Sequence, residues 1–230
     1  MSSSYNYLEC LERIDLRLQA NVDYNRIPTI PRFDECGFSG TTLCYGTVVS
    51  IRLRVPDDKN NIDESLKLKI IESFFSEACQ IIRSNSSCRD IIVTNFTITA
   101  MYNTSLKTEI EDVINDLARI RSLTTIIEKK TNITRGLLDI RMSACYSPLN
   151  MIVVESREIS KHFLWNGDAI ITSHQMLDNV DNSSILINKI IWNNLSESTQ
   201  KLFTPKNEMS GNYEGNISNV IMNNLLDSNM

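Results

Sequence analysis

Residues 47–56 read TVVSIRLRVP, and this stretch decides the fold class. Its β-branched and apolar residues predict a buried strand. Side chains alternate along a strand, so Ile51 and Leu53 lie on one face and Arg52 and Arg54 on the other. The sequence therefore predicts a sheet with one apolar face and one face that carries positive charge.

The overall composition is that of one globular domain. The 230 residues, 42% of them hydrophobic and 22% charged, suffice for a sizeable core. We expect a single domain over 1–230, with an N-terminal helix and arm at 1–45, a core at 46–205 and a C-terminal extension at 206–230. The net charge of -5 argues against DNA as a partner, because broad nucleic-acid binding favours a basic surface.

The N-terminus and the cysteines bear on location and metal content. The chain begins without an apolar signal core, and no run approaches the roughly 18 apolar residues of a membrane span. We therefore expect a cytoplasmic protein that does not contact a membrane. Six cysteines without a CxxC pair, together with only two histidines, argue against a zinc site, so no metal cofactor is expected.

Regular elements follow the opening strand in the order βαββαβ. They are a helix at 64–84, a hairpin of runs 91–94 and 97–102 that turns at Asn95 and Phe96, a helix at 106–130, and strands at 137–145 and 151–154 with a turn at Ser147-Pro148 between them. This order predicts an α+β, ferredoxin-like core, in which two helices cover one face of an antiparallel sheet. The face with Arg52 and Arg54 should then be open to a partner, a ligand or solvent.

Segments at both ends complete the predicted domain. Residues 1–20 favour an amphipathic helix with Leu8, Leu11, Ile14 and Leu18 on one face. The proline-marked arm RIPTIPRF at 26–33 should pack on the core. After the core we expect a helix at 168–177, a strand at 185–187, another helix and a terminal segment.

Four segments carry a resemblance to a known family. They are SIRLR from Ser50, CRDIIVTNFTITAMYNTS from Cys88, WNGDAIITSHQM from Trp165, and YEGNISNVIMNNLL near the C-terminus. Their order and spacing resemble those of the class III nucleotide cyclases, most closely the pyrimidine cyclases of bacterial Pycsar anti-phage systems. In that family a first strand reads V-D-I-R, a hairpin reads G-D, a later segment reads W-x-G-D-x-V-N and a tail reads Y-x-G-N. The resemblance implies the family's fold and its pairing of subunits.

The sequence departs from the family at four catalytic positions. The two metal-binding aspartates fall on Arg52 and Phe96. The transition-state asparagine falls on Ile171, and the arginine that often follows it falls on Gln175. Two carboxylates hold the divalent cations that activate the attacking hydroxyl and stabilise the leaving pyrophosphate. The resemblance therefore implies degenerate catalytic motifs, with no catalytic residue at these positions.

Each substituted position admits more than one interpretation. Arg52 suits either the phosphate of a ligand or the carboxylate of a dimer partner. Phe96 either packs into the space of the lost metals or stacks on a base. Ile171 favours a closed apolar contact, and Gln175 is a surface or interface residue.

The predicted ligand- or partner-binding cleft combines Arg52, Arg54, Asn95 and Phe96 with Asp168, Ile171 and Gln175. Asp168 is also interpreted as a helix N-cap.

Four further polar residues are candidates for a site. His174 is interpreted as structural, because no catalytic partner can be placed beside it, and His162, next to Lys161, is interpreted as solvated. Asp57 and Asp58 follow the first strand and offer the one route to a shifted magnesium or manganese site, although a polar turn explains them more simply.

The hypothesis favoured by the sequence is a pseudocyclase, an inactive homologue in anti-phage signalling that works by dimerisation or by binding a nucleotide or a partner. A homodimer through the open sheet face is expected, and a heterodimer with an intact cyclase or an effector is the alternative. An active cyclase that makes cCMP or cUMP through non-standard metal ligands, and a module that only binds nucleotides, remain as rival hypotheses.

Overall fold

The computed structural model describes residues 6–19, 24–35, 40–56, 62–154, 162–207 and 210–228. Within these residues nine strands form one sheet. They are β1 (Tyr24–Arg26), β2 (Gly40–Arg54), β3 (Cys88–Thr94), β4 (Thr97–Tyr102), β5 (Asp139–Val154), β6 (His162–Asn166), β7 (Ile185–Asn188), β8 (Thr204–Pro205) and β9 (Asn212–Gly215). The helices are α1 (Tyr7–Gln19), α2 (Glu64–Ser84), α3 (Lys107–Thr131), α4 (Asp168–Asn179), α5 (Lys189–Asn194), α6 (Glu197–Gln200) and α7 (Val220–Ser228), with a 3-10 turn at Phe33–Glu35.

The predicted βαββαβ order is confirmed by β2, α2, β3, β4, α3 and β5. These four strands lie in the order β3-β4-β2-β5 and pair antiparallel, as in the ferredoxin-like unit. The sheet continues through β7, β9 and β8, and β1 and β6 flank β2 and β5. Because β1 pairs parallel with β2, and β7 with β5, the complete sheet is mixed rather than antiparallel.

The turn predicted at Ser147-Pro148 is wrong, since β5 runs through it as one strand of 16 residues. Every β5 residue from Asp139 to Val153 pairs with β2, and Pro148 lies opposite Tyr45. On the other side of β5, the described strands pair with 142–144 and 150–154. Pro148 falls between these two pairings, so its missing N–H removes no ladder bond on that side.

One face of the sheet is covered by α2 and α3, as predicted. Asp63 caps α2 by accepting a hydrogen bond from the Leu66 N–H at 2.7 Å. The core beneath the two helices includes Val49, Ile51, Leu53, Ile70, Phe74, Ala78, Ile82, Val113, Leu117, Ile120 and Ile140. Since Ile51 and Leu53 are buried there, Arg52 and Arg54 lie on the opposite face.

That opposite face is not fully open, which corrects the prediction. Helix α4 packs across it, with Ala169, Met176 and Leu177 buried. The hydroxyl of Ser173 on α4 lies 2.9 Å from that of Ser50 on β2. The sequence predicts α4 as a helix, but its amphipathic pattern does not show which face of the sheet it covers. The end of the face near Arg54 remains open.

The two N-terminal segments, the arm and helix α1, differ in how far their apolar residues are buried. The arm packs on the core as predicted, because Ile30 is buried and its N–H donates to Asn103 Oδ1 at 3.1 Å. Helix α1 forms, but its apolar residues Leu8, Leu11, Ile14 and Leu18 are exposed. Among the described residues, no helix has the length and apolarity of a membrane span.

Candidate functional site

An open cleft of about 400 Å³ lies where β2 ends, between the tip of the β3–β4 hairpin and α4. Its walls are Arg52, Leu53, Arg54, Thr94, Asn95, Phe96, Thr97 and His174. The volume is within the range of small-molecule sites in proteins. The structure thus brings together four of the seven residues predicted for the cleft: Arg52, Arg54, Asn95 and Phe96.

Arg52 forms the floor of the cleft and is held from two sides. Its Nη1 lies 2.7 Å from Oδ1 of Asp178 on α4, and its Nε donates to Thr97 Oγ1 at 3.3 Å. The arginine side chain is 22% exposed and the aspartate 65% exposed. Asp178 was not singled out from the sequence, because only the packing of α4 on the sheet brings it to Arg52.

Positive charge is concentrated around this floor. Arg141 on β5 lies directly opposite Arg52 in the strand register, and its Nε contacts Asp139 Oδ1 at 3.2 Å. Arg54 is exposed on the cleft wall. Like charges that face each other across strands are unfavourable, so the two aspartates offset the repulsion between Arg52 and Arg141. Arg54 is the third arginine against these two aspartates, and the net positive charge that remains favours anions.

The hairpin tip has an unusual backbone. Asn95 and Phe96 have φ values of 47° and 57°, the left-handed conformation of a type I′ turn. Asparagine adopts this region readily, whereas phenylalanine adopts it only at a conformational cost of about 1 kcal/mol or more. The Phe96 carbonyl accepts a hydrogen bond from the Leu53 N–H at 3.3 Å, which ties the tip to β2. Phe96 is 58% exposed, so within one chain it does not fill a metal-sized space.

His174 closes the cleft on the side of α4. Its Nε2 lies 3.0 Å from Thr99 Oγ1, a hydrogen bond that agrees with the predicted structural role. Burial and then the charge of Arg52 lower the pKa of His174 below its usual 6.5, while Asp178 acts in the opposite sense. The ring is therefore neutral near pH 7. Its place in the cleft wall was missed, since a lone histidine gives no spatial signal in sequence.

The remaining predicted cleft residues lie elsewhere on α4. Ile171 is 52% exposed and Gln175 is exposed, and neither lines the cleft of its own chain. The N-cap of α4 is Gly167, with φ 130°, so the N-cap assignment of Asp168 is wrong. Asp168 is instead the first helical residue, where its negative charge favours the helix dipole. His162 is exposed, as predicted.

The comparisons with known proteins agree on one architecture. No protein-family model matches the chain. A uridylate cyclase from Treponema porcinum is 22% identical in an alignment of 214 residues that covers 88% of this chain and 73% of that protein. A class III adenylyl cyclase-like ATP-binding protein from Pseudomonas aeruginosa superimposes with a TM-score of 0.65 and 12% identity over 96% of this chain and 50% of that one. The dimeric guanylyl cyclase domain of the RhoGC fusion protein from Blastocladiella emersonii gives a TM-score of 0.54 and 12% identity, over 74% of this chain and 93% of that one.

The chain has the class III nucleotide cyclase fold. The resemblance predicted from the sequence is thereby confirmed. The chain spans half the length of the Pseudomonas ATP-binding protein.

A divalent-metal site of the cyclase type does not fit the side chains of this cleft. A guanidinium and a phenyl ring, those of Arg52 and Phe96, occupy the positions that the family resemblance assigns to the metal aspartates, and neither group coordinates a cation. Among the described residues, no group of three or more His, Cys, Asp and Glu side chains is arranged to hold a metal. Asp57 and Asp58, proposed as shifted ligands, lie outside the described residues.

Proposed function

We propose that this protein is a catalytically degenerate class III cyclase homologue, a pseudocyclase that works by binding rather than by cyclising a nucleotide. The observation that carries the proposal is the ion pair between Arg52 and Asp178 at the floor of the cleft. Cyclisation needs cations at this place, to lower the pKa of the attacking hydroxyl and to neutralise the leaving pyrophosphate. The guanidinium of Arg52 has no lone pair to offer a cation, and its ion pair takes up the carboxylate of Asp178.

The second half of the cyclase machinery is altered as well. Ile171 and Gln175 occupy the positions that the resemblance assigns to the transition-state asparagine and arginine. An isoleucine side chain donates no hydrogen bond, and glutamine carries no charge to stabilise a phosphorane-like transition state. A partner with intact aspartates would therefore still lack the groups that this chain should contribute, which favours a regulatory or sensing role over a complementary catalytic one.

Pairing with a second subunit is the other part of the proposal. Ile171 and Gln175 are both exposed on the outer side of α4, so they are available to a partner. A homodimer is the simplest arrangement, because one surface then covers its own copy, and a heterodimer with an intact cyclase or an effector satisfies the same contacts. The similarity to a uridylate cyclase supports a role in bacterial anti-phage signalling of the Pycsar type.

The experiment is a product assay by mass spectrometry with the four ribonucleoside triphosphates, in magnesium and separately in manganese. We expect no cyclic mononucleotide above a protein-free control. The active-cyclase alternative, which the same similarity to a uridylate cyclase favours, predicts cCMP or cUMP that disappears when Asp57 and Asp58 are both changed to alanine. Any product that depends on the protein overturns the pseudocyclase proposal.

A further inference from the structure

We propose that the cleft binds a nucleoside phosphate without a metal ion, with Arg52 and Arg54 on the phosphate, Phe96 against the base and Asp178 as an internal anion that the phosphate displaces. This inference deepens the proposed function, since it names the ligand class of the same cleft. It differs from nucleotide binding by a cyclase, in which carboxylate-held cations contact the phosphates.

The first support is the unused hydrogen-bonding capacity of the arginines. A guanidinium has five N–H donors, and the bonds described for Arg52 go to Asp178 and Thr97. Arg54, two residues further along β2, points to the same face and lines the same cleft. Two guanidinium groups that line one cleft suit a phosphate, which arginine recognises by paired charge-assisted hydrogen bonds.

Asp178 has the properties of a displaceable counter-ion. Its side chain is 65% exposed and contacts Arg52 through one oxygen, Oδ1. An exposed ion pair of this kind is weak. A phosphate dianion carries more charge and more acceptor oxygens than a carboxylate, so it competes well for the guanidinium. In the absence of ligand, Asp178 keeps Arg52 in place and neutralised.

The third support is the strained aromatic tip. Phe96 adopts a left-handed backbone that favours glycine, yet the residue is 58% exposed and gains little burial within the chain. Residues held in sparsely populated backbone regions cluster at sites where function requires the side chain. An exposed phenyl ring on the rim of an anion-binding cleft suits a nucleotide base, because each of the bases has a flat face that stacks on an aromatic ring.

The test is a calorimetric titration in excess EDTA at low salt, with nucleoside mono- and triphosphates and with sodium pyrophosphate as the probe that lacks a base. We expect nucleotide binding that survives EDTA. Arg52→Gln or Arg54→Gln should weaken it by about tenfold or more, because a charge-assisted hydrogen bond is lost. Asp178→Asn should tighten it by roughly two- to fivefold, the range of an exposed ion pair. Phe96→Gly should weaken nucleotide binding about fivefold or more while leaving pyrophosphate binding unchanged.

Arg83→Gln is the matched control, since Arg83 is an exposed arginine in the last turn of α2, on the other face of the sheet. Arg54 is itself exposed, so its variant should fold even where Arg52→Gln does not. Absence of nucleotide binding in EDTA, binding that requires magnesium or manganese, or equal losses in the Arg83 and Arg54 variants would each overturn the inference. None of these results yields a cyclic product, so the proposed function stands or falls separately in the mass-spectrometric assay.

Discussion

Arg52 on the central strand β2 and Asp178 on helix α4 form an ion pair with 2.7 Å between Nη1 and Oδ1. The pair joins the end of α4 to the face of the sheet that carries the arginines. It also brings both charges to His174, the residue one helical turn before Asp178, whose pKa responds to each of them in opposite directions. The histidine therefore reports on the pair.

The first prediction concerns the pKa of His174 in variants of this pair. Burial and Arg52 lower the pKa, so Arg52→Gln should raise it, and Asp178→Asn should lower it further because the opposing negative charge is removed. The measurement is an NMR titration of the histidine ring protons, assigned with a His162→Gln variant. Shifts of the same sign in both variants would show that the pair does not lie beside the ring.

The lowered pKa of His174 also determines how the stability of the protein changes with pH. The folded protein favours neutral His174, whereas the unfolded chain takes up the proton near pH 6.5. The contribution of this residue is therefore complete above about pH 6.5 and is lost as the pH falls toward the folded pKa. A His174→Gln variant should show less loss of unfolding free energy over that interval than the natural protein.

The second prediction is that Phe96→Gly makes the isolated protein more stable. Glycine adopts the backbone conformation at φ 57° without the steric cost that a phenylalanine side chain incurs. Since the ring is 58% exposed, little apolar burial is lost. We expect a gain of about 1 kcal/mol in urea unfolding.

Leu68→Ala is the control for Phe96→Gly, because Leu68 on α2 is also 58% exposed but lies in an ordinary helix. It should change the unfolding free energy very little. A Phe96→Gly variant that is less stable than the natural protein would mean that the ring contributes packing within the chain.

The sequence predicted the core of the fold well because the signals there are local. Helices α2 and α3 have long apolar periodicity, and the Asn95-Phe96 turn is bounded by two short apolar runs. Long-range placement was not predictable in the same way. The strand through Pro148 depends on which residues of β5 have partners on each side, and the cover over Arg52 depends on the docking of α4. Neither relation is contained in the local pattern.

The candidate site shows the same division. Arg52, Arg54, Asn95 and Phe96 follow from one strand and one hairpin that are adjacent in the sheet, so their meeting could be expected. Asp178 lies 126 positions after Arg52 in the sequence, and only the folded chain brings the two side chains together.

The third prediction tests the packing of the N-terminal arm. A Cβ atom at Gly46 would lie 2.5 Å from Ile30 Cδ1 and 2.6 Å from the Tyr102 carbonyl oxygen. The Tyr102 oxygen belongs to the backbone of β4, so it cannot give way as a side chain does. Gly46→Ala should therefore lower the unfolding free energy by about 1–3 kcal/mol, the usual cost of overpacking.

A double variant shows how much of that cost comes from the arm. Ile30→Ala relieves the contact with Cδ1 but leaves the clash with the Tyr102 oxygen. Gly46→Ala should thus lower the unfolding free energy less in the Ile30→Ala background than in the natural one, but it should still lower it. Equal costs in both backgrounds would place the arm away from Gly46.

The fourth prediction concerns Asp116, a carboxylate on α3 whose side chain is 3% exposed. Its oxygens accept from Asn85 Nδ2 at 2.7 Å and from Arg119 Nη1 at 3.2 Å, but burial outweighs both partners and raises its pKa from 3.8 to about 6. The folded state thus favours the protonated acid. The stability contributed by this group is complete below about pH 3.8 and is lost as the pH rises through about 6.

Asp116→Asn removes the ionisation and keeps an acceptor for Asn85. As the pH rises from 5 to 7.5, the unfolding free energy of the variant should therefore increase relative to that of the natural protein. The increase should be at most about 3 kcal/mol for a pKa shift of this size, and the lost contact with Arg119 reduces it slightly. Urea unfolding at both pH values measures the difference, and Glu77→Gln, which removes an exposed carboxylate on α2, is the control. A difference that stays constant or shrinks with rising pH would show that the folded protein does not hold Asp116 in its protonated form, and that Asn85 and Arg119 together compensate for its burial.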